Sequence, residues 1–503
     1  MKNKMHIEDL PVNQRPIKHE NHKPVITRRD MISRGIVGFS GSVITPSLLT
    51  MMENKAYGIE CKTAQSETAP VPFLSLDLGG GANFAMGNVI VGKRGGQTDF
   101  IDDAGAANLG CPSDQNPLNN PEMAVSLNGN PNGGLLFHAN SGFLAGLRSA
   151  TAETTRANMD GTILCGISRD DSNQNQLNPA FWIQAAGTTG SLIDIIGDNN
   201  SPAKGRSQPP QESISTASSA RVQSEGDARS LIDPGLLERI LPGQAEKVLK
   251  AAEKMSAARL AAFKKSSFPD QVRTLVQCGY IKSVENLTGF TADAVDPTAD
   301  PNVTAALAIN NPQGPFQPDN RNDNKVSTIA KLVLEGFAGN GTITLGGYDY
   351  HGQGRRTQTI KDFDAGRSAG QAFSIAAAMG KPLCMSIFTD GAVSARDAVD
   401  NSPEAAGRFS FTSDSGDRAS AFMLVYNPAG VQSTGLRQIG AFQDGNGSVD
   451  QEASPVGRDV VTLTKAMVAN YLALSGREGD LQKIIGNNPF SDLSKILAFG
   501  KLV

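Results

Sequence analysis

Histidine is scarce in this chain of 503 residues: there are five, and only His138 and His351 follow residue 58. A Ser-His-Asp machine would need one of those two as its base. No Gly-x-Ser-x-Gly elbow is present to carry the nucleophile. Cysteine is as sparse. Cys61, Cys111, Cys165, Cys278 and Cys384 are odd in number, widely separated and without a Cys-x-x-Cys pair, which excludes a zinc ribbon and a dense disulfide framework. Cys165 and Cys384 sit in apolar runs and read as buried free thiols, and no cysteine has a histidine close in sequence. Clusters of Arg/Lys interleaved with aromatics are also missing. Nucleic-acid binding, which needs a basic footprint, is therefore set aside.

What the chain does have is glycine, 53 of them, with 39% apolar residues, 19% charged and one tryptophan. That composition describes a loop-rich globular protein with a sizeable core. Charge is uneven. Residues 1–58 carry nine Lys/Arg against five Asp/Glu, net +4, while the remainder carries 37 against 45, net −8.

The basic opening reads as an address. Thr27-Arg28-Arg29-Asp30-Met31-Ile32 precedes a weakly hydrophobic, Gly- and Ser-rich segment from Gly35 to Met52, and Ala56-Tyr57-Gly58 follows as a small-x-small site. This pattern predicts a twin-arginine signal peptide over 1–58, cleavage after Gly58, and a periplasmic or extracellular mature protein. A spanning helix needs ~20 mainly apolar residues, and Gly, Ser, Thr and Pro interrupt this run, so no transmembrane helix is expected in the mature chain. Cys61 raises a lipoprotein alternative, but Glu60 stands where the lipid-attachment motif takes a small residue.

Beyond the leader, short apolar runs end in glycine or aspartate: Phe73–Gly79, Thr162–Ile167, Ile343–Gly346, Leu383–Asp390 and Ala421–Tyr426. Their length suits buried strands. Helical stretches between them, such as 141–158 and 364–379, predict a mostly parallel sheet sandwiched by helices, an α/β fold whose site lies at the carboxyl ends of the strands. We expect one domain over 59–503 with a loop and helical insertion at about 198–325. Within it, 198–227 and 293–324 read as long loops and 231–265 as a helix with its apolar residues at helical spacing.

Candidate chemistry gathers at Gly346-Gly347-Tyr348-Asp349-Tyr350-His351-Gly352. In an extended segment Asp349 and His351 point the same way, and a carboxylate with an imidazole suits a divalent metal. Asp390, ending the next strand, and Asp414 and Asp417 are expected on the same edge. The alternative is that these are turn aspartates bonded to their own backbone. His138, in an apolar context, reads as structural. The glycines at 79–81 lack the spacing and the Gly-Lys-Ser/Thr of a phosphate loop and read as a tight turn. Asp444 to Asp450 begins like a calcium loop but lacks the central glycine and terminal glutamate of an EF-hand.

The order of Ile329 to Gly336, Thr342 to His351, Phe388-Thr389-Asp390-Gly391 and Ser413 to Ala421 resembles a family of exported bacterial proteins with twin-arginine leaders, related to the alkaline phosphatase and sulfatase superfamily. The resemblance implies an alkaline-phosphatase-like fold, metal ligation by the Asp349-x-His351 segment, and a site of Asp349, His351, Asp390 and Asp417 with Arg418 as a candidate catalytic group. The chain departs from the family where Thr389-Asp390-Gly391-Ala392 replaces Ser-Glu-Phe-Gly, where Gly416-Asp417-Arg418-Ala419 replaces Thr-Asp-His-Gly, and where Ser172-Asn173 replaces Ser-His. Two histidines are missing, so a two-zinc phosphatase site with its ordinary ligands is not expected. The expected function is thus an exported envelope protein, non-catalytic and binding a partner protein or surface polymer, with a metal-dependent hydrolase of phosphate or sulfate esters as the alternative.

Overall fold

The computed structural model describes residues 70–130, 133–168, 177–197, 219–232, 292–389, 391–453 and 455–502. The expected leader, most of the 198–227 loop and the 231–265 helix beyond Ile232 lie outside them. Twelve strands are described: β1 (Phe73–Gly79), β2 (Ala124–Ser126), β3 (Leu136–His138), β4 (Met159–Gly166), β5 (Ile193–Gly197), β6 (Ser219–Arg221), β7 (Ala338–Gly346), β8 (Leu383–Thr389), β9 (Val393–Val399), β10 (Phe409–Asp414), β11 (Ala419–Tyr426) and β12 (Gln438–Ile439). Eight form one sheet in the order β12-β4-β11-β8-β1-β7-β5-β6. Every neighbouring pair runs parallel except those of β11, which is antiparallel to both β4 and β8. The expected mostly parallel sheet between helices is therefore the architecture observed. β1 lies at its centre and is buried at every position, which is why Phe73-Leu74-Ser75-Leu76-Asp77-Leu78 is a near-continuous apolar run.

One face of the sheet, carrying Leu74, Leu76, Ile343 and Phe422, packs under α1 (Gly142–Ser149), α3 (Asp323–Leu334) and α4 (Arg355–Ala378). The other, carrying Phe73, Cys384 and Met423, packs under α2 (Ala180–Ala185) and α5 (Val460–Ala473). The helix expected over 141–158 is interrupted: α1 ends at Ser149, capped at its start by the Ser141 hydroxyl, and a second short helix covers Glu153–Ala157. The helix expected from Asp364 begins earlier, at Arg355. Its polar first turns hid it, because Arg355, Gln358, Thr359 and Asp362 are buried there although polar, while Arg356 and Thr357 face solvent.

α1 and α4 touch backbone to backbone. A Cβ on Gly146 would lie 2.0 Å from the Phe363 carbonyl oxygen, and one on Gly366 would lie 1.9 Å from that of Phe143. Only residues without a side chain permit that approach. On the opposite face a buried polar stripe crosses three central strands. Ser75 Oγ donates to Asn178 Oδ1 at 3.0 Å, Asn178 Nδ2 donates to Thr342 Oγ1 at 3.0 Å, and Ser386 Oγ lies 3.4 Å from Ser75 Oγ.

The region 293–324 is not a bare loop. It holds a helix over Pro301–Leu307 capped by Asp300, and Asp300 also pairs with Lys331 of α3. β6 likewise lies inside the segment expected to be a loop, pairing with β5 at the sheet edge.

Candidate functional site

β1, β4, β7 and β8 end on one edge of the sheet, and β11 begins there. Beyond β1, Gly80 has φ 132° and Gly81 φ 110°, the tight turn expected of the glycine run. A Cβ on Gly80 would lie 2.4 Å from the Asp349 nitrogen, so this glycine allows the segment after β7 to run alongside. Tyr348 N donates to the Gly79 carbonyl at 3.0 Å and Tyr350 N to that of Gly81 at 3.3 Å, which extends the pairing past the strands.

Alternation follows. Tyr348 and Tyr350 are buried, while Asp349 and His351 are exposed. The tyrosines anchor the segment, Tyr348 through a 2.8 Å hydrogen bond to the Lys361 carbonyl and Tyr350 through one of 2.7 Å to Asp362 Oδ1. Burial, then the charges of nearby aspartates, pushes both phenol groups well above their ordinary range. Asp349 Oδ1 accepts from the His351 backbone N–H at 3.1 Å, the local turn bond that short carboxylates favour. His351 Nδ1 lies 3.9 Å from Asp414 Oδ1 at the end of β10.

Asp390 lies outside the described residues. Asp417 Oδ1 accepts from Ser415 Oγ at 2.7 Å and from Arg418 Nη1 at 3.1 Å. The rest of the Arg418 guanidinium is committed to the Asn446 carbonyl, with Nε at 3.1 Å and Nη2 at 2.9 Å, so its described role is to fix the 444–448 loop. Asp444 in that loop accepts from the Asp102 backbone N–H at 2.8 Å, while Asp102 Oδ1 accepts from that of Gly445 at 2.8 Å. The structure thus brings His351 and Asp414 together, and it joins Asp417 to Arg418. Among the described residues no three His, Cys, Asp or Glu side chains gather in a way that could hold a metal ion. Those residues do not by themselves fit a divalent cation.

His138 is fully buried. Its Nδ1 accepts from the Asn140 N–H at 3.1 Å, which leaves Nε2 to carry the proton toward the Gln115 carbonyl at 3.2 Å. Burial, reinforced by the Arg408 charge, pulls it down to about 3, so it stays neutral. Cys111 Sγ approaches within 3.7 Å of Nε2, but burial pushes this thiol up to about 12. A neutral thiol beside a donor imidazole N–H is not an activated nucleophile.

One feature escaped the sequence reading. A cleft of about 480 Å³ beside the β12 edge is lined by Arg94, Thr98, Arg437, Gln438 and the backbones of Gly95, Gly96, Gly133, Gly134, Gly435 and Gly440. Both glutamines bordering it are structural. Gln438 exchanges hydrogen bonds with the Gly92 N–H and carbonyl at 2.8 Å each, and Gln97 bridges the Ile90 and Leu136 carbonyls. Arg437 is held by Asp160 at 2.6 Å. Arg94 gives Nε to Asp450 at 2.8 Å, and most of its side chain is exposed. The signal available in the sequence was Lys93-Arg94-Gly95-Gly96, glycine next to cation, but its partners lie about 40 and 340 residues away.

No family model matches the chain, and no curated protein matches it. Among solved structures, a mutant of TAB5 alkaline phosphatase with magnesium bound aligns over 84% of this chain and 100% of its own, at 11% sequence identity and a TM-score of 0.22. That score is too low to establish a shared fold, and the α/β assignment rests on the sheet itself.

Proposed function

We propose that this is an exported, non-catalytic envelope protein that binds a polar surface polymer in the glycine-walled cleft. The observation that carries the reading is the cleft's lining: the largely exposed side chain of Arg94, held at Nε by Asp450, beside six glycines that put no side chain of their own into the space. Anionic groups are recognised by such a cation at low steric cost. Export rests on the Arg28-Arg29 leader pattern. Titration of the mature protein with acidic and neutral oligosaccharides, followed by calorimetry, tests it. Binding of the acidic set, weakened about tenfold in Arg94→Ala, is expected, since a charge-assisted hydrogen bond is worth roughly 1.5–3 kcal/mol. Equal binding by Arg94→Ala, or none by the parent, would overturn it.

The approach of His351 to Asp414, with Asp349 outward beside them, favours a second reading: metal-assisted hydrolysis of phosphate or sulfate esters at the strand ends, for which Asp390 and Asp417 would have to join as ligands and Asp417 to leave Ser415 and Arg418. Metal content of periplasmic protein next to an Asp349→Asn, His351→Ala variant decides it. Stoichiometric metal lost in the variant, with hydrolysis of an aryl phosphate or sulfate by the parent, would displace the binding reading.

A further inference from the structure

A second cavity, of about 210 Å³, lies beside α1. Ala145 and Arg148, three residues apart and so on one face of that helix, line it together with the loop Gln313–Phe316 and with Pro403, Glu404 and Ala406. Its walls are held in place. The Asn311 N–H donates to the Ser149 carbonyl at the end of α1 at 2.8 Å, and Phe316 stacks on Phe363 of α4 with ring centres 4.7 Å apart. In the other loop both carboxylate oxygens of Glu404 accept from Arg356, at 3.1 and 2.8 Å, and the Ala406 carbonyl accepts from Gln115 Nε2 at 2.6 Å. Ala406 has φ 55°. A residue with a Cβ keeps that left-handed conformation only where its surroundings over-determine it, and such positions cluster at ligand clamps.

Arg148 is half-buried in this wall without a counter-charge. Among the described residues its guanidinium makes one hydrogen bond, from Nη2 to the Ser126 carbonyl at a long 3.5 Å, and no ion pair. Burial pulls it below its ordinary range, and no carboxylate raises it again. Glu404, in the same wall, is spent on Arg356. Glu153 acts on the neighbouring Arg156, which burial and then the Arg148 charge hold down. Arginine does not give up its proton. Its planar fork is thus open to an acid from outside the chain.

The cavity limits which acid that is. One guanidinium balances one negative charge, and its paired donors match the two coplanar oxygens of a carboxylate. The exposed rings of Pro315 and Pro403 and the methyl of Ala145 offer apolar surface to the rest of the molecule. The volume lies below the roughly 300–1,000 Å³ of sites for drug-sized ligands, which restricts the body to one ring or a short chain.

We propose that this cavity binds a small monocarboxylic acid, its carboxylate on Arg148 and its apolar body between Pro315, Pro403 and Ala145. The site is separate from the glycine-walled cleft and from the strand-end aspartates, and does not depend on either reading of function.

Calorimetric titration of the purified protein with sodium benzoate, and with benzamide as a neutral ring of the same outline, tests it. Saturable binding of benzoate at one site is expected, with benzamide at least about tenfold weaker because the charge-assisted bonds are lost. Arg148→Gln is expected to bring benzoate down to the benzamide level and to leave benzamide unchanged, a split that loss of folding would not produce. Should that variant fail to fold, Ala145→Leu, which puts a larger apolar side chain into the cavity with the arginine intact, is expected to abolish binding of both. No saturable benzoate binding up to about 10 mM, tenfold above a millimolar dissociation constant, overturns the proposal. So do equal affinities for benzoate and benzamide, inorganic phosphate bound as tightly as benzoate, or benzoate binding undiminished in either variant.

Discussion

Gly366 of α4 lies against the Phe143 carbonyl of α1 so closely that a side chain would meet it at 1.9 Å. Gly366→Ala must push the two helices apart, and about 3 kcal/mol of stability is expected to be lost, the upper end of overpacking costs. Gly346→Ala is the control: nothing lies within 4 Å of its Cβ position, and a change within ~0.5 kcal/mol is expected. Urea unfolding of the two variants separates a backbone contact from a general intolerance of alanine for glycine.

Asp300 and Lys331 meet at 2.5 Å with both side chains more than nine-tenths buried. Asp300→Asn leaves the ammonium buried without a counter-charge and is expected to cost about 3–5 kcal/mol. Burial raises the Asp300 carboxyl, but the Lys331 hydrogen bond and the Asn302 N–H outweigh it and hold the group below its ordinary value. Its contribution is therefore complete above the unfolded value and is lost as pH falls through the lower folded one. The gap between wild type and Asp300→Asn should narrow on acidification; a gap constant from pH 7 to pH 2 would contradict this.

Asp364 behaves in the opposite sense. Burial first, then the neighbouring Asp319 charge, pushes it up to about 6 despite Arg321 at 3.7 Å. A carboxyl raised on folding binds its proton more tightly in the native state, so it subtracts stability as pH rises from the unfolded value near 4 to about 6. Asp364→Asn is expected to be more stable than wild type at pH 7, by roughly 1 kcal/mol after allowance for solvent screening, and equal to it near pH 3.5. Melting points across that range provide the check.

Cys111, Cys165 and Cys384 are buried free thiols, pushed upward by burial. In Cys61→Ser, Cys278→Ser protein, a thiol reagent is expected to find no reactive group in the native state at pH 8 and three after denaturation. Fast labelling of the native form would show that the strands carrying Cys165 and Cys384 open readily.

The central strands were legible because each is buried on both faces and therefore reads as a run poor in charge and rich in apolar residues; Phe73–Gly79 needed no context to be recognised. The edge strands β6 and β12, of three and two residues, and the five-residue β5 next to the edge were not, since such short strands owe their pairing to neighbours elsewhere in the chain. The first turns of α4 were missed for a related reason. Arg355, Gln358, Thr359 and Asp362 look like a solvated face in one dimension, yet all are buried. At the candidate site, alternation located Asp349 and His351 on one side correctly, because the backbone there is extended. What alternation cannot show is where the other end of each hydrogen bond lies. Arg418 reads as a free cation until Asn446, 28 residues on, is seen to hold it.

The strand order bears on synthesis. β1 is the first strand of the sheet to leave the ribosome, yet its two neighbours are β7 and β8, and its Asp77 meets Thr344 across 267 residues of chain. At ~5–20 residues per second, β1 waits roughly tens of seconds for a partner. During that wait its mostly apolar sequence is a target for chaperones or for misassociation, and no N-terminal portion ending before residue 338 can complete the centre of the sheet. Nonsense or frameshift truncations within the first two thirds of the gene should therefore yield insoluble or degraded product rather than a smaller folded domain.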